Sequence, residues 1–191
     1  MSLSKELILS VRRRVAADPG IATAELAAEL KTPEAEVVTA LPLEMRRHAK
    51  VEDFAAIWSR IATWKHTRVS ISGSNGAVSL LPGGALPPGR QEGASFRFAA
   101  GCALPLEDLP LWRLGSIWFV AKPLQGEESL SVRFFNTEGE PLFSVYLARD
   151  NAGRPDLEAR RSYEALRQEY AIPPKPRARC KGCKNCTCGA V

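Results

Sequence analysis

The first part of the chain carries apolar residues at the spacing of amphipathic helices. The predicted helices span residues 4–17, 23–30 and 33–41. Leu7, Ile8, Val11 and Val15 form the apolar face of the first. Its end is set by the turn sequence Asp18-Pro19-Gly20. Thr23 and Thr32 are the expected N-caps of the second and third helices.

Three short helices in this order resemble a helix-turn-helix unit. The third helix, however, carries Glu34 and Glu36 and no Lys or Arg. A helix that contacts phosphates is not expected to be acidic. The pattern therefore favours a structural or docking role for this N-terminal segment over DNA contact.

The strongest helical signal comes from residues 53–64, where apolar side chains recur at i, i+3, i+4 and i+7. These side chains are Phe54, Ile57, Trp58 and Ile61. The period then changes to two, which predicts strands at 69–71, 78–80, 95–98, 117–121, 130–135 and 142–148. Ser74-Asn75-Gly76 is a hairpin signal, whereas Pro82-Gly83-Gly84 and Pro87-Pro88-Gly89 indicate a loop. A last amphipathic helix is predicted around Ala159, Tyr163, Leu166 and Tyr170.

Helices followed by a run of antiparallel strands and a closing helix predict an α+β fold with one large antiparallel sheet. We divide the chain into a helical segment, 1–45, a main α+β domain, 46–172, and a tail, 173–191. Pro173-Pro174-Lys175-Pro176 acts as a stiff spacer before the flexible, cysteine-rich end of the chain.

Composition predicts a cytoplasmic protein. No window approaches about 18 consecutive apolar residues, so we expect no membrane span, and the N-terminus lacks the apolar region of a secretory signal. The net charge is +5. Residues 171–191 hold 5 basic residues and no acidic one, so the other 21 basic residues balance the 21 acidic ones. A basic tail can touch nucleic acid, but we favour a local role beside the cysteines.

Four of the five cysteines, Cys180, Cys183, Cys186 and Cys188, lie in the last twelve residues. The segment has almost no apolar residues to form a core, and cytosolic thiols stay reduced, so a shared metal site is the preferred explanation. Four thiolates around a divalent metal carry a net charge near −2, which the neighbouring Lys and Arg residues offset.

The spacing favours an iron–sulfur cluster, with zinc or copper as the alternative and free thiols as a third. Structural zinc sites split their ligands into two separated pairs, and this tail has no such spacer. The sequence Cys-Lys-Asn-Cys-Thr-Cys-Gly at 183–189 also resembles part of an anamorsin-type iron–sulfur motif. In that family the first cysteine lies further upstream, whereas Cys180 is only three residues before Cys183.

A second resemblance covers roughly residues 10–170. The stretch Arg133-Phe134-Phe135-Asn136-Thr137-Glu138-Gly139-Glu140-Pro141-Leu142-Phe143, followed by Leu147-Ala148-Arg149-Asp150, resembles the ChuX/HutX-type haem-utilisation carriers. Two further motifs occur in the same order as in that family, namely Phe54 with Ile57-Trp58 and Leu86-Pro87 with Gly89. The resemblance implies a curved antiparallel sheet, a cytosolic protein that binds haem, and a homodimer.

The axial haem ligand does not carry over. The family's His on the strand after the Trp falls near Ser72, its Tyr aligns with Phe96, and its Gly-His segment falls near 102–104. The remaining haem-pocket candidates are Phe96, Arg97, Phe98, Cys102 and His66, with Trp112 and Arg133 as a further wall and cation. Cys102 is more simply a small buried residue, and His66 and His48 are more simply surface or turn residues.

Two functions remain open from the sequence. The first is a haem-utilisation protein that binds or traffics haem or iron, whose tail exchanges electrons or iron with a redox or iron-handling partner. The second is a scaffold of the same shape that binds no haem and works through its zinc or iron–sulfur tail. An enzyme that degrades or reduces haem is a third possibility, less favoured than a carrier, and no carboxylate pair or nucleophile–base set indicates other chemistry.

Overall fold

The computed structural model describes residues 3–64, 67–72, 78–84, 86–99, 107–124, 126–147 and 156–173, with the backbone alone for 72 and 78–84. The helices are α1 (Lys5–Ala17), α2 (Thr23–Leu30), α3 (Glu34–Ala40), α4 (Phe54–Ile61) and α5 (Leu157–Tyr170). The strands are β1 (Arg46–Ala49), β2 (Thr67–Ser72), β3 (Val78–Gly84), β4 (Gly89–Glu92), β5 (Ser95–Phe98), β6 (Asp108–Pro110), β7 (Leu114–Ala121), β8 (Leu130–Asn136) and β9 (Pro141–Leu147). The α+β class predicted from the sequence is confirmed.

The strands form two antiparallel sheets within the described ranges. The larger sheet has the order β1-β7-β8-β9-β2-β3, and the smaller has the order β4-β5-β6. Strand β9 lies between β8 and β2, where Tyr146 pairs with Ser131 on one side and with Arg68 on the other. The single sheet expected from the sequence is therefore too simple, because the short strands β4 and β6 carry little apolar alternation.

One face of the six-stranded sheet packs against α4, α5 and the small sheet. Leu130, Val132 and Phe134 of β8 all point to this face, as their period of two predicts. The helix α4 contributes the predicted residues Phe54, Ile57, Trp58 and Ile61, all at most 1% exposed. Edge-on ring contacts join the layers, since Phe54 lies 5.1 Å from Phe96 and 5.4 Å from Phe134 between ring centroids. This is the main core.

The N-terminal helices cover part of the opposite face of the same sheet. They bury Trp118 and Val120 of β7 and Phe135 of β8, against Val11 and Val37 among others. The helices therefore share their core with the sheet. Among the described residues, this cover is confined to the β7–β8 half of the face and leaves the β9–β2 half open.

Several predicted boundaries are wrong in detail. The N-cap of α2 is Ala22, and the Thr23 hydroxyl instead donates to the carboxylate of Glu34 and accepts from Arg133. Pro33 is the N-cap of α3, while Thr32 Oγ1 donates to Glu36. The predicted loop sequence Pro82-Gly83-Gly84 belongs to β3, and Thr67 pairs there with Gly84.

The end of the main domain is attached to the edge of the large sheet. Asp156 caps α5 by accepting from the backbone N–H groups of Glu158 and Ala159. After α5, the backbone N–H of Ile172 donates to the carbonyl oxygen of His48 at 2.7 Å. The chain thus reaches the spacer from a fixed point beside β1. None of the described helices has the length and apolar character needed to cross a bilayer.

Candidate functional site

A cavity of about 1290 Å³ lies between α2, α3 and the uncovered half of the large sheet. This volume is above the roughly 300–1,000 Å³ that is usual for small-molecule sites. Arg68 and Ser70 of β2 and Ser144 and Tyr146 of β9 line its floor. The core-facing residues of the same strands alternate with them, because successive side chains on a strand point to opposite faces.

The walls of the cavity are largely apolar. Ile21, Ala24, Ala27, Pro123, Leu124 and Leu142 line it. Basic side chains stand among them, and they are Lys31, Arg68, Arg113, Lys122 and Arg133. The four acids of the described lining are Glu34, Asp108, Glu138 and Glu140. An apolar surface with several cations suits a flat apolar ligand that carries anionic groups at its edge.

Arg133 is a nearly buried cation of the cavity, with an exposed fraction of 8%. Its Nη1 donates to Oε1 of Glu34 at 2.8 Å and to the hydroxyl oxygen of Thr23. Its Nε donates to Ser131 Oγ at 3.2 Å. The guanidinium carbon lies 5.7 Å from the centroid of the Tyr146 ring. The cluster joins α2 and α3 to β8 and fixes a positive charge beside a phenol.

Lys122 holds the loop between α1 and α2 against the end of β7. Its ammonium group donates to the carbonyl oxygens of Pro19, Ile21 and Pro123. Burial, with a smaller contribution from repulsion by Arg133, lowers the pKa of Lys122 to about 8, while Asp18 acts in the opposite direction. All three donors are engaged by the protein, so Lys122 shapes the cavity rather than contacting a ligand.

The structure places the sequence-predicted pocket residues elsewhere. Phe96 and Phe98 are buried in the main core, where Phe98 lies 5.0 Å from Trp58 between ring centroids. Arg97 is exposed and forms an ion pair with Glu92. None of the three lines the cavity, and their part in a haem pocket stays a prediction. His66 and Cys102 lie outside the described residues.

Two aromatic residues differ from expectation. Trp112, considered as a pocket wall, is 73% exposed and follows the short strand β6. His48, expected at the surface or in a turn, is a half-buried residue of β1 whose ring lies 4.7 Å from that of Trp118. Burial, aided by Arg46, lowers the pKa of His48. Its imidazole is therefore neutral near pH 7.

Sequence reasoning missed Arg68 and Tyr146, the two floor residues of the cavity with the most distinctive chemistry. In the sequence they are ordinary outward positions of strands, and only the pairing of β2 with β9 brings them together. Among the described residues, no group of three or more His, Cys, Asp or Glu is placed to hold a metal ion. The four-cysteine set lies outside them.

Comparison with known sequences adds a family to this geometry. A protein-family model described as haem utilisation ChuX/HutX matches residues 47–166, more than half of the chain. A Vibrio cholerae protein described as intracellular heme transport protein HutX is 26% identical over 154 residues, which cover 80% of this chain and 78% of that protein. Both comparisons agree with the resemblance seen in the sequence.

Solved structures show the same fold. A crystal structure of a protein from Erwinia carotovora has a TM-score of 0.74 at 25% identity and covers 84% of this chain and 98% of its own. The structure described as the heme binding protein ChuX has a TM-score of 0.71 at 19% identity, with coverage of 84% and 98%. Holo-PhuS, a heme-binding protein from Pseudomonas aeruginosa, has a TM-score of 0.64 at 18% identity, and the match covers 86% of this chain and 48% of PhuS.

Proposed function

Because the chain belongs to the haem utilisation ChuX/HutX family, we propose that it binds haem as a cargo and passes it on within the cytosol. The observation that carries this proposal is the cavity of about 1290 Å³ over the β9–β2 half of the sheet. It combines apolar walls with basic side chains, as a macrocycle with two propionates requires.

The residues of the cavity divide into two roles. Ile21, Leu124 and Leu142 offer apolar surface to the macrocycle, and burial of that surface drives binding. Arg68 and Arg113 offer positive charge to the propionates, whereas Arg133 is held by Glu34, and an Arg guanidinium can form two parallel hydrogen bonds to one carboxylate. Haem supplies the iron chemistry, whereas this chain supplies enclosure and charge.

We propose a carrier rather than an enzyme that degrades haem. The described lining supplies apolar walls and charged side chains, and one of its four acids, Glu34, is committed to Arg133 and Thr23. A carrier needs only binding and release, which enclosure between a helical unit and a sheet provides. The relative from Vibrio cholerae is described as an intracellular transport protein, which supports a cytoplasmic location.

We also propose that Cys180, Cys183, Cys186 and Cys188 bind one metal centre, an iron–sulfur cluster before zinc or copper. The anchoring of Ile172 to His48 fixes the point from which the spacer starts. A cluster on this tether would exchange electrons or iron with the haem site or with a redox partner. Anaerobic purification followed by iron, sulfide and zinc analysis tests the proposal, and absence of all three in the full chain would refute it.

A homodimer and the division of the chain at residues 45 and 172 remain proposals. Light scattering on the full chain tests the first, since a dimer has twice the 20.8 kDa mass of one chain. The division at residue 45 separates the helices from the family match, which starts at residue 47, and not two independent cores, because the helices share a core with β7 and β8. Limited proteolysis that cuts first near residue 173 would support the division between the main domain and the tail.

The function itself is tested by haemin titration of the purified chain. We expect a saturable change in the Soret band with one haemin per chain at micromolar protein. Lack of saturation, or binding of many haemin molecules with equal weak affinity, would contradict the carrier role. Bovine serum albumin at equal concentration controls for free haemin, because it competes for haemin that is only loosely held.

A further inference from the structure

We infer that Tyr146 supplies the iron ligand in this cavity and binds ferric haem through its phenol oxygen. The inference rests on the proposed function, because it names the residue that holds the iron of the proposed cargo. Tyr146 lies on the cavity floor in the central part of the sheet, and its side chain is half-buried. Neither the sequence motifs nor the comparisons single it out.

The chemistry of the lining leads to this residue. Proteins hold haem iron through His, Cys, Met or Tyr side chains. Among the described residues that line the cavity, Tyr146 alone belongs to these four types. The Lys122 amine is held by three carbonyl oxygens and is therefore not free to bind iron.

The surroundings of Tyr146 suit an anionic oxygen ligand. Arg68 pairs with Tyr146 across the β2–β9 ladder, so their side chains leave the sheet on the same face. Arg133 contacts the face of the ring, at 5.7 Å from guanidinium carbon to ring centroid. Because Arg133 is already paired with Glu34, Arg68 is the cation that offsets the negative charge that a phenolate carries when it binds metal. A hard oxygen ligand prefers Fe(III) to Fe(II).

The position of Tyr146 is also fixed. Strand β9 is hydrogen-bonded to a neighbour on each side, with Ser131 and Arg68 as the residues opposite Tyr146. The adjacent residues Val145 and Leu147 are buried in the main core. The strand therefore cannot rotate to turn the phenol away from the cavity without exposing these two side chains. Ligands on such rigid elements hold a metal more accurately than ligands on loops.

The test compares Tyr146→Phe with Tyr170→Phe in the full chain. Tyr170 ends α5 and does not line the cavity, so it controls for loss of a tyrosine. Each variant is titrated with haemin and then examined by resonance Raman spectroscopy, in which an iron-bound phenolate gives ring modes of its own. Thermal unfolding of the haem-free variants verifies that Tyr146→Phe folds. A third variant, Tyr146→His, replaces the oxygen ligand with nitrogen.

We expect wild-type protein and Tyr170→Phe to show phenolate modes, and Tyr146→Phe to lose them together with a roughly tenfold or greater loss of haemin affinity. Tyr146→His should regain affinity with a nitrogen-ligand spectrum. Unchanged affinity and spectrum in Tyr146→Phe would overturn the inference while leaving the haem proposal in place. Haemin binding without phenolate modes in wild-type protein, with a loss of affinity in Cys102→Ala or His66→Ala, would do the same. Failure of wild-type protein to bind haemin at all would overturn both.

Discussion

Arg133 on β8 and Glu34 at the start of α3 form a nearly buried ion pair, with 2.8 Å between Nη1 and Oε1 and side chains only 9% and 13% exposed. Their partners are also shared, since the Thr23 hydroxyl contacts both groups. The pair joins the helical cover to the sheet at the edge of the cavity. It therefore connects the stability of the N-terminal helices to the geometry of the proposed haem site.

Loss of one partner from this pair should cost far more than loss of an exposed pair. For Glu34→Ala we expect the free energy of unfolding to fall by about 3 kcal/mol, because Arg133 stays buried without its counter-charge. Glu29→Ala is the matched control, since Glu29 pairs with Arg14 at side-chain exposures of 46% and 41%, and it should cost less than about 1 kcal/mol. Urea unfolding measures both, and equal costs would argue against a structural role for the buried pair.

The turn between β8 and β9 presses against the first residues of α3. Gly139 has φ +84°, and a Cβ there would stand 2.9 Å from Cβ of Pro33. Gly126 has φ +81° with nothing within 4 Å of such a Cβ. Substitution there measures only the cost of placing a side chain at positive φ. We expect Gly126→Ala to lose about 1 kcal/mol of stability, and Gly139→Ala to lose about 1–3 kcal/mol more. Thermal unfolding of both variants measures the difference. Similar losses of stability in Gly126→Ala and Gly139→Ala would mean that Pro33 moves aside at no cost.

The buried ammonium group of Lys122 should make stability depend on pH in the alkaline range. Its pKa is lowered from 10.5 to about 8 in the folded protein. Between these values the unfolded chain binds more protons than the folded chain, so the free energy of unfolding rises with pH across the window. We would measure denaturation of wild-type protein and Lys122→Met at pH 7.5, 9 and 10.5, a range that covers the interval between the two pKa values of about 8 and 10.5. The free energy of unfolding should rise with pH in the wild type alone. Parallel curves would show that Lys122 titrates normally.

The cysteine tail should be separable from the fold. Removal of residues 174–191 leaves the contact between Ile172 and His48 intact, and we expect the unfolding temperature of the metal-free protein to be unchanged. The same truncation should abolish metal binding, because all four tail cysteines are lost. Replacement of the four cysteines by serine in the full chain is the matched variant. Retained metal in either variant would place the site elsewhere.

Periodicity was sufficient for the elements whose apolar side chains share one core-facing side. The helix α4 and the strand β8 follow these positions closely, although the N-terminal helices also bury the second face of β8, which the alternation of β8 does not show. Strand β1 could not be foreseen, since Arg46-Arg47-His48-Ala49 has no alternation and is a strand only through its pairing with β7. The caps predicted at Thr23 and Thr32 are wrong because α2 and α3 take Ala22 and Pro33 as N-caps, and the two Thr hydroxyl groups donate to Glu34 and Glu36.

The cavity lay beyond sequence reasoning for a different reason. It exists because the helices cover Trp118 and Phe135 but stop short of β9, and no local pattern encodes the extent of that cover. Arg133 was named from the sequence as a cation for the ligand, whereas Tyr146 was hidden as an outward position of a strand. Phe96 and Phe98 were chosen for aromatic character, which the main core also requires.

The most direct measurement of the central claim is haemin titration of a chain whose cavity has been filled. Ala24 and Ala28 are exposed on α2 and line the cavity, so Ala24→Trp/Ala28→Trp narrows it without disturbing the core. Ala16→Trp/Ala165→Trp adds the same side chains at exposed positions outside the lining. We predict saturable one-to-one binding in wild type and control, and at least a roughly tenfold loss of affinity in the filled variant. Equal affinity in all three would contradict haem binding in this cavity.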